Sequence, residues 1–329
     1  MSTAERPQMS QLMADQQPSE NEDLRRTVLV ANRKGGVGKT SIVTTVASMI
    51  ARPDRKVLVI DSDSQGNATK SDLGVSGDEG RSFMNALQYG DRMEVLPDVR
   101  PGLDLVAGGA HLASVGAIIA SAGQSGADIN GNLRRALASV CREGNYTLVL
   151  IDTGPGDVPL LDAFLQSVRY LLIPTKEDDA GLDGVEQLAA RFMVARRNGA
   201  LVRLLGVVLF DANPRATARN GEVLSDIDTM LGGSGTSAFQ SMVRNDKAAA
   251  KDLRAAHMTI TELVSASQEQ QRTRLTKLRS NKRLRRDPAE EAELRLYSRD
   301  PSALATDYQA LTREILERVA AAEQVGVER

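Results

Sequence analysis

Lys34, Lys39 and Thr40 bracket a run of glycines, Lys34-Gly35-Gly36-Val37-Gly38-Lys39-Thr40, entered from the apolar stretch Val28-Leu29-Val30-Ala31. A glycine-rich turn between a buried strand and a helix gathers backbone N–H groups around one point, where they can hold phosphate oxygens. Gly35, Gly36, Val37, Gly38 and the following Ser41 are the candidates for that cradle. Lys39 can supply positive charge to the β- and γ-phosphates of a nucleotide, and Thr40 a hydroxyl to a bound Mg²⁺. Ile42, Val43, Val46, Ala47 and Ile50 then recur at helical spacing, so the loop opens a helix, as this chemistry requires. The first position of the general G-x-x-x-x-G-K-[ST] pattern is Arg33 rather than Gly, and Lys34 adds a second lysine.

Two acidic clusters stand where a nucleotide hydrolase needs them. Leu58-Val59-Ile60 runs into Asp61-Ser62-Asp63-Ser64-Gln65-Gly66-Asn67, and Leu148-Val149-Leu150-Ile151 ends in Asp152-Thr153-Gly154-Pro155-Gly156. A carboxylate at such a strand end can hold Mg²⁺ through water, because Mg²⁺ keeps several of its own waters. A second carboxylate can orient an attacking water. Taken singly, an acid ending a strand is often just the N-cap of the next helix. Three strand ends carrying complementary groups point to one phosphate site.

The elements around these motifs alternate. Strands are expected at 27–31, 56–60, 103–106, 147–151, 169–174 and 203–209, and helices near 39–51, 130–142, 158–168, 180–198 and 216–231. The strands are continuous apolar runs, which suits a mostly parallel sheet covered by helices on both faces. That pattern predicts a doubly wound α/β fold with its ligands at the carboxyl ends of the strands. The expected organisation is a polar tail at 1–24, a nucleotide domain at 25–260, a basic helical insertion at 261–299 and a docking helix within 300–329. On that helix Leu304, Tyr308, Leu311, Ile315, Leu316 and Val319 share one side.

Composition limits the alternatives. The 329 residues are 41% hydrophobic but only 3% aromatic, so the core must be built mainly from aliphatic side chains. A net charge of −2 means that any electrostatic footprint for nucleic acid must be local. Cys141 is the sole cysteine, so no intrachain disulfide can form, as in a reducing cytosol. No apolar run approaches the ~20 residues that span a bilayer, and the N-terminus has no apolar signal core.

One segment breaks the rhythm. Arg272, Arg274, Lys277, Arg279, Lys282, Arg283, Arg285 and Arg286 follow one another with no acidic residue among them. Laid along a duplex, such a run would give a log–log salt slope of up to about −7. It has no aromatics for base stacking, so phosphate-backbone contact is the expected mode. The alternative is a solvated helical arm paired with Glu290, Glu291 and Glu293.

Taken together, K-G-G-V-G-K-T at 34–40, D-S-D-S-Q-G-N-A-T at 61–69 and L-V-L-I-D-T-G-P-G at 148–156 resemble the three nucleotide motifs of the ParA-type partition ATPases. These belong to the deviant Walker A group of P-loop proteins that also contains MinD and the nitrogenase iron protein. The resemblance extends through Leu171–Thr175, Gly206–Leu209 and Tyr297–Leu316. It implies ATP and Mg²⁺ as ligands, with Lys34 as the signature lysine that reaches a partner's phosphates and Lys39 as the lysine acting in cis. It also implies Thr40, Asp61 and Asp152 around the metal, and Asp63 as the water-positioning aspartate. Arg244-Asn245 resembles a family segment near the adenine. Ser64, Thr153-Gly154 and Asp157 depart from the family pattern.

The resemblance further implies a slow ATP hydrolase whose ATP state is a homodimer that binds double-stranded DNA without sequence preference. A ParB-type partner would stimulate turnover, and the protein would act in the cytoplasm on the nucleoid. A MinD-like membrane-positioning role would need an amphipathic basic helix with a substantial apolar face; Glu323–Arg329 is acidic and poor in anchors, and the basic run has few hydrophobes. A nitrogenase-like electron donor would need more cysteines than Cys141. A nucleotide-gated module with little turnover is the remaining alternative.

Overall fold

The computed structural model describes residues 20–125, 128–232, 234–279, 296–298 and 300–327. Its sheet contains β1 (Thr27–Val30), β2 (Val57–Asp61), β3 (Leu96–Arg100), β4 (Leu103–Val106), β5 (Leu148–Asp152), β6 (Tyr170–Thr175), β7 (Arg203–Ala212) and β8 (Val243–Arg244). Their spatial order is β3-β4-β2-β5-β1-β6-β7-β8. All neighbours run parallel except β3 and β4, which are antiparallel.

The apolar runs are explained by two cores. Strand residues alternate in direction, so Val28 and Val30, Val57 and Val59, and Leu148 and Leu150 pack on one face of the sheet. Leu29, Leu58, Ile60, Val149 and Ile151 pack on the other. Both sets are buried, and a strand buried on both faces cannot show a polar alternation.

The helices are α1 (Lys39–Ile50), α2 (Arg81–Tyr89), α3 (Val115–Ser125), α4 (Ile129–Gly144), α5 (Val158–Ser167), α6 (Asp179–Arg197), α7 (Thr217–Met230), α8 (Lys247–Ala255), α9 (Ile260–Arg279) and α10 (Ser302–Val327). Core residues from α1, α8, α9 and α10 join the first face, and those of α2 to α7 the second. Leu304, Tyr308, Leu311, Ile315 and Val319 of α10 are buried there, with Leu316 half-buried beside them. This is a doubly wound α/β fold.

Several elements go beyond the sequence expectation. β3 carries Pro97 and has no buried residue, which suits a sheet edge that needs no complete ladder. β8 is two residues long, below what periodicity detects. α2 lies between Gly80 and Gly90, both left-handed at φ 80° and 76°. The end of the polar tail is docked: Leu24 is buried, and Glu20 and Asp23 pair with Arg134 and Arg142 of α4 at 3.2 and 2.6 Å. Residues 1–19 lie outside the described residues, as do residues 280–295 of the basic segment.

Candidate active site

Three adjacent strands bring the motifs together. Asp61 ends β2 and Asp152 ends β5, and the two are register partners; Val30 of β1 is in turn the partner of Asp152. The glycine loop leaves β1 beside them, so groups more than a hundred residues apart in sequence meet at one end of the sheet.

Local constraints fix the loop. Asn32 donates from Nδ2 to the Pro174 carbonyl at 2.8 Å, and its Oδ1 accepts the Lys34 amide at 2.9 Å. Gly36 and Gly38 adopt φ 73° and 88°, a region that side chains disfavour. A Cβ on Gly38 would also lie 2.4 Å from the Phe210 ring.

Lys39 is buried, and its ammonium donates to the carbonyls of Asn32 and Lys34 at 3.0 Å each. Burial pulls its pKa below the ordinary lysine value, while Asp152 and Asp63 pull it back. Lys34 turns the other way, pairing with Asp178 ahead of α6. That contact, with help from the Gly181 amide, holds the Asp178 carboxyl below its usual range.

The carboxylates divide their work. Asp61 accepts the Asp63 amide at 3.1 Å, the Thr69 amide at 2.9 Å and the Thr69 hydroxyl at 2.7 Å. Burial nevertheless pushes its pKa up to about 6 against those hydrogen bonds. Thr69 also accepts the Gly108 amide at 3.0 Å, so Asp61 organises the turn after β2. Asp63 accepts the Gln65 amide at 3.0 Å and the Asn67 side-chain amide at 3.4 Å.

Asp152 is fully buried, yet neither carboxylate oxygen accepts a hydrogen bond. Burial and then repulsion from Asp61 raise its pKa well above the carboxylate norm; the nearby Thr40 hydroxyl and Lys39 ammonium oppose that rise. Orphaned buried carboxylate oxygens call for an explanation. Among the described residues no cluster of three His, Cys, Asp or Glu could hold a metal by itself. Mg²⁺ needs less, since water and phosphate supply most of its oxygens. Asp152 beside Thr40 fits that requirement.

The departures from the family pattern have local roles. Asp157 caps α5 by accepting the Leu160 amide at 3.1 Å. The Thr153 hydroxyl ties β5 to the Val30 carbonyl at 3.0 Å. A Cβ on Gly154 would come within 2.9 Å of Asp63 Oδ1.

Gly35, Gly36, Gly38, Lys39, Thr40 and Ser41 line a cleft together with Asp63, Asn67, Thr153 and Arg254. An adjoining cavity of about 140 Å³ shares Ser41 and Arg254 and is walled by Phe210, Asp211 and Arg244. Arg244 spends its guanidinium on a bidentate pair with Asp307 of α10, at 2.5 and 2.7 Å. Asn245 lies outside both linings; its amide donates to the Ala212 carbonyl at 2.9 Å. Sequence reasoning missed Asn32, Asp178 and Arg254, which no motif marks, and the role of Thr69, which stands within the quoted 61–69 motif.

The described start of the basic run does not line this cleft. Arg272 and Arg274 are exposed on α9, and neither lines it. Lys277 and Arg279 belong to the last turns of the same helix. Lys282, Arg283, Arg285 and Arg286 lie outside the described residues. Among the described residues no helix is long and apolar enough to cross a membrane.

A family model described as an AAA domain matches residues 25–201, a span enclosing all three strand-end motifs. The chromosome-partitioning ATPase Soj of Thermus thermophilus is 35% identical over 185 residues, 56% of this chain and 68% of that protein. Cobyrinic acid a,c-diamide synthase from Mycobacterium smegmatis, solved with ADP and magnesium, is similar with a TM-score of 0.56 at 26% identity, over 68% of this chain and 87% of that one. ParA of pNOB8, solved on nonspecific DNA, shares the fold with a TM-score of 0.55 at 18% identity, over 90% of this chain and 99% of that one. With a family match over more than half its length and a relative this similar, the chain is a member of the AAA domain family and, within it, of the ParA-type partition ATPases of the P-loop group.

Proposed function

We propose that this chain hydrolyses ATP with Mg²⁺ in the cleft at the ends of β1, β2 and β5, and that the ATP state is a face-to-face homodimer that holds duplex DNA without sequence preference. The observation that carries this reading is the divergence of two neighbouring lysines. Lys39 is turned into its own loop, while Lys34 is held outward on Asp178. An outward cation paired with a half-exposed carboxylate is cheaply released, so Lys34 is free to reach the phosphates of a second copy.

In the cleft, Gly35, Gly36, Val37, Gly38 and Ser41 would offer amides to the polyphosphate, and Lys39 would neutralise it in cis. Thr40 and Asp152 would hold Mg²⁺, directly and through water, with Asp61 behind them fixing the turn. The metal would supply charge neutralisation and a fixed orientation of the phosphate oxygens. Asp63 would orient the attacking water, and in-line attack would follow from positioning. Arg244 and Asn245 would stand at the base end of the nucleotide, Arg244 as part of the cavity wall. The basic run from Arg272 to Arg286 would track the DNA backbone. A ParB-type partner would stimulate hydrolysis and release, as partition requires of a protein similar to Soj.

The test is size exclusion of the full chain with ATP, ADP or neither, using Asp63→Ala to block turnover, with the eluted species then applied to plasmid DNA. A doubled mass with ATP alone and salt-sensitive retention on DNA are expected. A lone subunit at saturating Mg·ATP would overturn the dimer, and a dimer that fails to hydrolyse would leave a nucleotide-gated module.

A further inference from the structure

Of the cations around the cleft, Lys39 and Lys34 have partners that explain their positions, whereas Arg254 does not. Arg254 stands in the last turn of α8, whose start is fixed by Asp246 accepting the Ala249 amide at 2.9 Å. Its side chain is 63% exposed and its Nε lies 3.7 Å from Asp72 Oδ1. That separation is too long for a hydrogen bond.

Asp72 is correspondingly underserved. Its Oδ2 accepts the Thr44 hydroxyl at 2.9 Å, but its buried Oδ1 accepts no hydrogen bond. Burial raises its pKa, and the pull of Thr44, Arg254 and His257 does not cancel that rise. The pair is therefore a loose one.

Arg254 also lines both the phosphate cleft, with Gly36, Lys39 and Thr40, and the adjoining cavity beside Ser41. A guanidinium offers a planar fork of donors suited to phosphate oxygens, and such charge-assisted bonds exceed a long surface ion pair in strength. We propose that Arg254 is a further phosphate-binding residue of this site: it leaves Asp72 and donates to the polyphosphate of the nucleotide bound in its own subunit. This inference rests on reading the cleft as the nucleotide site. It gives α8 a part in nucleotide binding alongside the glycine loop. Two positions earlier on the same helix, Asp252 accepts the amides of Tyr297 and Ser298, where the chain returns from the basic segment.

The test is the Kd of the full chain for a fluorescent ATP analogue with Mg²⁺, measured for wild type, Arg254→Ala, Arg254→Lys and Asp72→Asn. Loss of a charged hydrogen bond should weaken Arg254→Ala about tenfold or more. Arg254→Lys, which keeps the charge without the fork, should fall in between. Asp72→Asn keeps an acceptor for Thr44 and frees Arg254, so it should bind as tightly as wild type or tighter. Arg254→Ala binding like wild type overturns the proposal. So does Asp72→Asn losing as much as Arg254→Ala, because the ion pair alone would then matter. Should Arg254→Ala fail to fold, Arg254→Lys binding like wild type overturns it equally. Wild type that binds no nucleotide removes the reading of the cleft itself, a result distinct from either.

Discussion

Asp61 and Asp152 are register partners on β2 and β5, and they carry their buried charge in opposite ways. Asp61 is wrapped by three donors, whereas Asp152 has none. Both have raised pKa values. The folded state therefore binds more protons than the unfolded chain between about pH 4 and the folded pKa.

The sign of the pH dependence follows. For Asp61 the window runs from the ordinary carboxylate value to about 6, and through it the folded protein loses stability as pH rises. The shift corresponds to roughly 3 kcal/mol, and Asp152 adds to it in the same direction. Urea unfolding of the nucleotide-free protein from pH 4 to 7 should show a steeper decline for wild type than for Asp61→Asn. Equal pH profiles would mean that Asp61 titrates normally.

Lys39→Ala removes the buried cation that the phosphates would meet. Nucleotide affinity should fall about 100-fold, as for a lost charge-assisted contact. Stability should change little, because two carbonyl bonds are lost while an ammonium is no longer desolvated. Equilibrium binding and a urea titration on the same variant check both halves.

Lys34→Gln separates the two lysines. It removes an exposed contact with Asp178 and leaves the cradle intact, so ATP should bind within about threefold of wild type, a surface-pair effect. The doubling of mass with ATP that is expected of the wild type should be absent. Light scattering with the analogue at saturation reads this directly, and a variant that still dimerises would remove Lys34 from the partner's site.

Gly38→Ala meets two obstacles at once, a φ of 88° and the Phe210 ring at 2.4 Å from the new Cβ. A loss of about 2–4 kcal/mol is expected from backbone strain and overpacking. Phe210→Ala in the same chain should recover the packing share but not the strain. A denaturant midpoint for the single and double variants measures the split.

Asp307→Ala strands the guanidinium of Arg244, which accounts for both of its short contacts. The half-buried bidentate pair should cost about 2 kcal/mol when broken from one side. Removing both partners should cost less than the sum of the single losses. Unfolding of the two single variants and the double variant closes the cycle.

Much of this was legible because the fold repeats one physical pattern. β1, β2 and β5 are apolar on both faces; β2 and β5 end in Asp61 and Asp152 and β1 runs into the glycine loop, so each strand announced its own terminus and the group it presents. Lys39, Thr40, Asp63 and Asp152 therefore come together at one end of the sheet. Asn32 sits in the loop itself and escaped because its partner, the Pro174 carbonyl on β6, is 142 residues away. Asp178 follows β6 and Arg254 stands on α8 after β8, so only the folded strand order brings them to the loop. Arg244 is expected near the base only from resemblance; what no motif shows is that its guanidinium pairs with Asp307, 63 residues away in sequence, while the residue walls the cavity. β3 hid behind Pro97, which breaks the strand signal that an edge does not need.

The two hydrogen-bonding positions at the foot of the basic segment are consecutive. Leu253 accepts the Met258 amide on the way out at 3.0 Å, and Asp252 receives Tyr297 and Ser298 on the way back at 3.0 and 2.6 Å. Departure and return thus share one anchorage, as in a domain spliced into a surface loop. Trimming the outer part beyond the buried Ile260 and Leu263 and joining the stumps should leave a folded nucleotide engine.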